Sequence, residues 1–133
     1  MFVEKVKIKM HDTDAAGLIF FGHQFKMAHD VYEEFMMSIG FSFAKLLREK
    51  DFFVPIVHAE ADYKTPLFVG DELIVTLKIE NIGKTSYAVS YEFNDAKGIC
   101  VGAVRTVHVC ISKKTKRKIS LPKELKLALA KHR

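Results

Sequence analysis

The chain has 133 residues, 49% of them hydrophobic and only three of them proline, enough to bury one core and short for two, so a single domain spanning residues 1–133 is expected. No run approaches the roughly 18 apolar residues that a membrane helix needs, and Met1-Phe2-Val3-Glu4-Lys5 lacks the charged-then-apolar layout of a secretion signal; a cytoplasmic location is expected. The net charge of +5 invites a nucleic-acid reading, but much of the excess sits in Lys113, Lys114, Lys116, Arg117 and Lys118 without interleaved aromatics, so a solvated turn or a small-molecule anion site is favoured and nucleic acid is not expected.

Phe2, Val6, Ile8 and Met10 alternate with Lys5, Lys7 and Lys9, the period of a strand with one wet face. His11-Asp12-Thr13-Asp14-Ala15-Ala16-Gly17 follows, poor material for a regular element and good material for a tight, backbone-exposing loop. Phe25, Ala28, Tyr32, Phe35 and Ile39 then recur at steps of three and four, predicting a helix over His23–Ile39 stopped by Gly40. Met27, Val31, Met36 and Met37 widen its apolar face, so this helix is expected to be central. A shorter amphipathic piece covers Phe43–Arg48.

Val57, Ala59, Ala61 and Tyr63 alternate with His58, Glu60, Asp62 and Lys64, and Pro66 should end that strand or leave it at an edge. Gly70-Asp71 turns the chain into Leu73, Val75, Leu77 and Ile79, and Gly83-Lys84-Thr85 makes the next turn. Tyr87, Val89, Tyr91 and Phe93 form another alternating strand, closed by the turn formers of Asn94–Gly98. The segment from Ile99 to Ile111 is apolar on both sides, as an interior strand would be. Cys100 and Cys110 on that strand would lie roughly 33 Å apart, too far to bridge, which fits a reducing compartment. Pro122 suits the first turn of a closing helix. One strand, one long helix and four strands joined by short turns give an α+β chain with an antiparallel sheet laid over the helix.

The loop decides the chemistry. An EF-hand calcium site would need a third oxygen ligand where Ala16 stands and a distal Glu. A phosphate loop ending in Gly83-Lys84-Thr85 would need a glycine where Ile79 stands. His11, His23, His29 and His58 show no repeated ligand spacing, so no metal is expected. What remains is a carboxylate beside a helix N-terminus, whose unpaired N–H groups can polarise a carbonyl while an ionised Asp attacks it or deprotonates a water. The alternative is that Asp12 or Asp14 only satisfies turn N–H groups.

Asp12-Thr13-Asp14-Ala15-Ala16-Gly17, followed by aromatics and the long helix, resembles the Asp-x-Asp-x-x-Gly signature of the hotdog-fold acyl-CoA thioesterases of the 4-hydroxybenzoyl-CoA thioesterase type. Pro66–Asp71 and Leu121–Leu125 are similar to later landmarks of the same family. The resemblance implies a hotdog fold of order β-α-β-β-β-β, a five-stranded antiparallel sheet wrapped around one long helix. It implies thioester hydrolysis to a free acid and CoA without a bound cofactor, Asp14 as nucleophile or general base, and Phe21, Gly22 and His23 as the carbonyl-polarising backbone. The family often has Asn where His23 stands. Gly17 and, on similarity alone, His58 join the substrate contacts, and Glu33 is a secondary candidate that the helical pattern puts on the wet face. Asp-Thr-Asp-Ala-Ala-Gly together with His29–Glu33 and Val57-His58-Ala59 is most similar to the 1,4-dihydroxy-2-naphthoyl-CoA thioesterases of quinone biosynthesis. Short-chain or hydroxybenzoyl-CoA substrates and a non-catalytic acyl-CoA-binding module are the alternatives. A homodimer or homotetramer is implied, with Lys113–Lys118 or Lys64 meeting the CoA phosphates.

Overall fold

The computed structural model describes all residues, Met1–Arg133. Its elements are β1 (Phe2–Lys7), α1 (Phe21–Ser38), α2 (Phe43–Glu49), β2 (Phe52–Phe53), β3 (Ile56–Tyr63), β4 (Glu72–Glu80), β5 (Ser86–Asn94), β6 (Cys100–Val109), β7 (Ile111–Ser112) and α3 (Lys123–Ala130). Five strands form one antiparallel sheet in the order β1-β4-β5-β6-β3, and β2 pairs with β7 in a separate short ribbon.

The register explains the sequence periodicity. Leu77 lies opposite Tyr91 and Val75 opposite Phe93, while Tyr91 faces Val104 and Tyr87 faces His108. These residues share the face that packs on α1, and Leu73, Val75, Leu77, Ile79, Tyr87, Val89, Tyr91 and Phe93 are all buried. The opposite face carries Thr76, Lys78, Ser90, Glu92 and Arg105, with Arg105 between Glu60 and Glu80 at 3.6 and 3.5 Å. From α1, Met27, Ala28, Val31, Tyr32, Phe35 and Met36 enter the core, in the paired steps of three and four of a wide apolar stripe. Met37, expected to widen it, is 55% exposed. α3 closes the far end through Leu125 and Leu129, and the His132 carbonyl accepts from the Ile79 amide.

Four boundaries differ from expectation, each for a local reason. β1 stops at Lys7, because the Lys9 amide donates to the Asp12 carboxylate and starts a single 3-10 turn over Met10–Asp12; Ile8 stays buried but Met10 is exposed. α1 begins two residues earlier than expected, at Phe21, since the chain enters it directly from Phe20 in extended conformation. In β3 a bulge between Ile56 and His58 interrupts the alternation, so Ile56 lies opposite His108. The last long strand ends at Val109, and Ile111 turns to pair with Phe53.

β3 is the outer strand on its side of the sheet, and all but one of its eight residues are exposed. Its alternation is real but buries neither face. The basic segment is partly structural: Lys113 Nζ donates to the Leu46 and Leu47 carbonyls at 2.6 and 3.0 Å, satisfying the end of α2.

Candidate active site

The loop is a small hairpin. Thr13 and Ile19 form an antiparallel bridge, the Asp14 amide donates to the Leu18 carbonyl at 2.8 Å, and the Gly17 amide returns to the Asp14 carbonyl at 3.0 Å. Gly17 sits at φ +80°, a conformation that side-chain-bearing residues rarely adopt, so this turn requires glycine. A second wall holds the hairpin in place: Leu18 bridges to Phe68, and the Ile19 amide donates to the Leu67 carbonyl at 2.8 Å. The loop leads straight into α1, and the Phe20 amide donates to the Asp12 carbonyl at 2.9 Å.

The two aspartates have opposite surroundings. Asp14 is exposed, and its Oδ1 accepts the Ala16 amide at 2.8 Å. Asp12 is only 4% exposed; its Oδ2 accepts from the Lys9 amide at 2.9 Å and its Oδ1 meets His23 Nδ1 at 3.2 Å. Burial pushes the Asp12 carboxyl up, yet the Lys9 amide, the His23 hydrogen bond and the nearby His11 and Lys26 together hold it below the usual carboxylate range.

At the head of α1, Phe20 caps with its backbone alone, and the His23 amide already donates to the Phe20 carbonyl at 2.8 Å. The Phe21 and Gly22 amides find no acceptor in the chain, and these are the donors available to a ligand. Gly22 leaves room for an aromatic ring: a Cβ there would lie 3.3 Å from the Phe20 side chain. The Phe20 and Phe21 rings pack at 4.8 Å, tilted by 41° to each other, and Phe20, Phe21, Phe68, Val69 and Met10 are all exposed around the loop.

Phe21, Gly22, His23, Gly17 and Asp14 therefore come together on one hairpin and one helix start. His58 does not join them within the chain. It lies on the outer face of β3, hydrogen-bonded to Glu60 at 3.3 Å, and five residue steps along the strand, about 16 Å, separate it from Tyr63. Glu33 is exposed on α1 and meets His29 Nδ1 at 3.3 Å. No three His, Cys, Asp or Glu side chains gather as a metal-binding group. Lys64 directly follows Tyr63, whereas Lys113–Lys118 lies beyond the opposite end of β3, where the Lys113 amide donates to the Asp51 carbonyl.

Two residues that position the site were not singled out from sequence. The Tyr63 hydroxyl donates to the Phe21 carbonyl, tying β3 to the first turn of α1. Gln24 is 1% exposed, and its Nε2 donates to the Asp62 and Ala103 carbonyls at 3.0 and 3.2 Å. The available signal was a polar residue in line with Met27, Ala28 and Val31 on the apolar stripe.

Residues 8–129 match the thioesterase-like superfamily. The 1,4-dihydroxy-2-naphthoyl-CoA hydrolase of Nostoc punctiforme is 33% identical over 118 residues, 89% of this chain and 79% of that protein. The corresponding hydrolase of Synechocystis is 30% identical over 129 residues, 96% of this chain and 94% of that protein. The crystal structure of a 1,4-dihydroxy-2-naphthoyl-CoA thioesterase from Synechocystis superposes with a TM-score of 0.91 at 30% identity, covering 97% of this chain and 95% of that one. With the hotdog architecture described above, this match over nearly the whole chain places the protein in the thioesterase-like superfamily.

Proposed function

We propose that the protein hydrolyses an aromatic acyl-CoA thioester to the free acid and CoA, with 1,4-dihydroxy-2-naphthoyl-CoA as its substrate. The observation that carries this reading is the exposed carboxylate of Asp14, held on a pinned hairpin that runs into a helix whose first two amides have no partner. A thioester carbonyl directed at the Phe21 and Gly22 amides gains stabilisation as its oxygen becomes an oxyanion, and Asp14 acts on the same centre as nucleophile or general base. The exposed rings of Phe20 and Phe21 suit an aromatic acyl group.

A single domain over residues 1–133 carries the activity, and the site is completed by a second copy. The outer edge of β3 has unpaired backbone groups, and exposed edges of this kind favour strand addition. Two-fold pairing of β3 with β3 is antiparallel, so the partner's first β3 residues run alongside Tyr63 and approach the loop. His58 contributes to substrate contact by that route, and Lys64 is the basic residue best placed for a CoA phosphate. In a reducing cytoplasm Cys100 and Cys110 stay as free thiols.

The test is thiol release measured across aromatic, hydroxybenzoyl and short-chain acyl-CoAs, with Asp14→Asn beside the wild type. The expected result is the highest kcat/KM on the bicyclic aromatic thioester and a loss of at least about 100-fold in Asp14→Asn. Tight acyl-CoA binding without CoA release refutes hydrolysis and leaves a binding module; near-normal turnover in Asp14→Asn removes that residue from the chemistry.

A further inference from the structure

Asp12 and His23 are eleven residues apart in sequence and in contact in the fold. Asp12 is an ionised carboxylate at neutral pH, so it only accepts hydrogen bonds. Its partner nitrogen, Nδ1 of His23, must therefore carry the proton, which leaves Nε2 as the ring nitrogen free to take one up. The pair is built rather than incidental. Asp12 is buried, its other oxygen is fixed by the Lys9 amide at 2.9 Å, and its carbonyl holds the Phe20 amide at 2.9 Å. The His23 side chain retains 29% exposure, and its ring stands edge-on to Phe20 at a centroid distance of 5.9 Å. The imidazole is thus oriented from behind by a carboxylate and reaches solvent beside the two free amides of α1.

We infer that His23, oriented by Asp12, is the proton acceptor for the hydrolytic water, which assigns Asp14 the role of nucleophile. This rests on the thioesterase reading. An Asp14 oxygen bonds to the acyl carbon, the C–S bond breaks and CoA leaves as the thiolate. Water then adds to the acyl carbon of the resulting anhydride while His23 Nε2 takes one of its protons. The bond from that carbon to the Asp14 oxygen breaks, releasing the acid and restoring the Asp14 carboxylate, and His23 passes its proton to the thiolate or to solvent. Atoms and charge balance with the thioester and one water as the reactants. Asp12 is a positioning residue: it fixes the tautomer and touches neither substrate nor water.

The ionisable groups gathered at the pair are Asp12, which His23 touches directly, and around that carboxylate His11, whose Nε2 lies 3.6 Å from it, and Lys26 from α1. The experiment compares wild type, His23→Ala, His23→Asn and Asp12→Asn in kcat, KM and their pH profiles, with circular dichroism confirming the fold and imidazole added to His23→Ala. Both His23 variants should lose about 100-fold or more in kcat, with KM changed less than about threefold. The acid side of the kcat profile should change shape in both, because only the Asp14 carboxylate then has to be ionised, and imidazole should restore turnover in His23→Ala in a concentration-dependent way. In Asp12→Asn kcat should fall with KM changed less than about threefold, because the ring loses the acceptor that fixes its tautomer. His23→Asn turning over within about threefold of wild type overturns the inference, as does an unchanged acid-side fall in the residual activity together with no imidazole rescue. If Asp14→Asn is dead while His23→Asn is active, this inference fails and the thioesterase reading stands; if the wild type releases no CoA, the thioesterase reading itself fails.

Discussion

Replacing Gly102 by Ala tests how the head of α1 is attached to the sheet. Gly102 is buried in β6 between Phe93 and Tyr63. A Cβ there would lie 2.9 Å from Gln24 Oε1, 3.1 Å from Gln24 Nε2 and 3.2 Å from the Asp62 carbonyl oxygen. Asp62 is paired with Ala103 in the β3·β6 ladder and has little freedom to retreat, so the Gln24 amide must move. Moving it sacrifices its bonds to the Asp62 and Ala103 carbonyls, at about 1 kcal/mol each. Local overpacking adds about 1–3 kcal/mol, offset by about 0.4–1 kcal/mol from the lower chain entropy of Ala in the unfolded state. The net cost is about 2–4.6 kcal/mol, which for a chain of this size lowers Tm by roughly 7–17 °C. Calorimetric melts of Gly102→Ala, Gln24→Ala and the double variant measure it. Because the clash is largely with Gln24, Gly102→Ala should cost at least about 1 kcal/mol less once Gln24 is truncated. A Tm within about 2 °C of wild type, or an equal cost with and without the Gln24 side chain, refutes this account of the attachment.

Three further outcomes follow from other buried or bridging groups. His108 is 1% exposed, its Nδ1 donates to the Val54 carbonyl, and burial pulls it down from 6.5 to about 4 despite that bond. Between those values the unfolded chain binds a proton that the fold refuses, so stability falls as pH drops from about 6.5 to about 4, by about 3 kcal/mol; melts at pH 7 and pH 4 should show this loss in wild type and lack it in a folded His108→Gln. Lys113→Ala should cost about 0.5–1.5 kcal/mol by exposing two unsatisfied carbonyls of α2 while leaving the KM for acyl-CoA unchanged; a several-fold rise in KM would show that this basic segment meets CoA after all. Tyr63→Phe removes the bond to the Phe21 carbonyl from an exposed side chain, so stability should change by no more than about 1 kcal/mol. Its kcat should fall several-fold through misplacement of the helix head, and unchanged kcat would show that α1 is held without Tyr63.

The strands were legible where each has one wet and one dry face. β4 buries every second residue, and β5 does so with Ala88 buried as well; a period of two is what such a strand writes into a sequence. β3 has the same alternation and is exposed on both faces, because burial depends on what covers a strand and a single chain encodes only part of that cover. Met10 was misplaced for a different reason: the apolar alternation continues through it, but the bond from the Lys9 amide to the Asp12 carboxylate bends the chain before the pattern ends. The turn at Gly17 and the entry into a helix were readable from residue type. The partner of Asp12 was not, since eleven residues separate it from His23 and no local periodicity links a loop carboxylate to a side chain on the first turn of a helix. Likewise Gln24, Gly102 and the Asp62 carbonyl meet only because the sheet and helix cross there.

Two carboxylates two residues apart cannot easily share one role, and the fold separates them through solvent access. Asp12 is enclosed, with both oxygens engaged by a backbone amide and an imidazole. Its charge is stabilised by bonds that a nucleophile would have to break, so ionisation there buys orientation and little reactivity. Asp14 has one oxygen on the Ala16 amide and lies exposed at the turn. A carboxylate in that position keeps a free lone pair and loses its remaining hydration only when a ligand covers the loop, which is when its nucleophilicity rises. Asp12 anchors the His23 ring through its side chain and the entrance to α1 through its carbonyl. Displacing Asp12 would therefore move the imidazole and the free Phe21 and Gly22 amides together, so a conservative change at the buried aspartate should damage catalysis through geometry even though its carboxylate never touches the thioester.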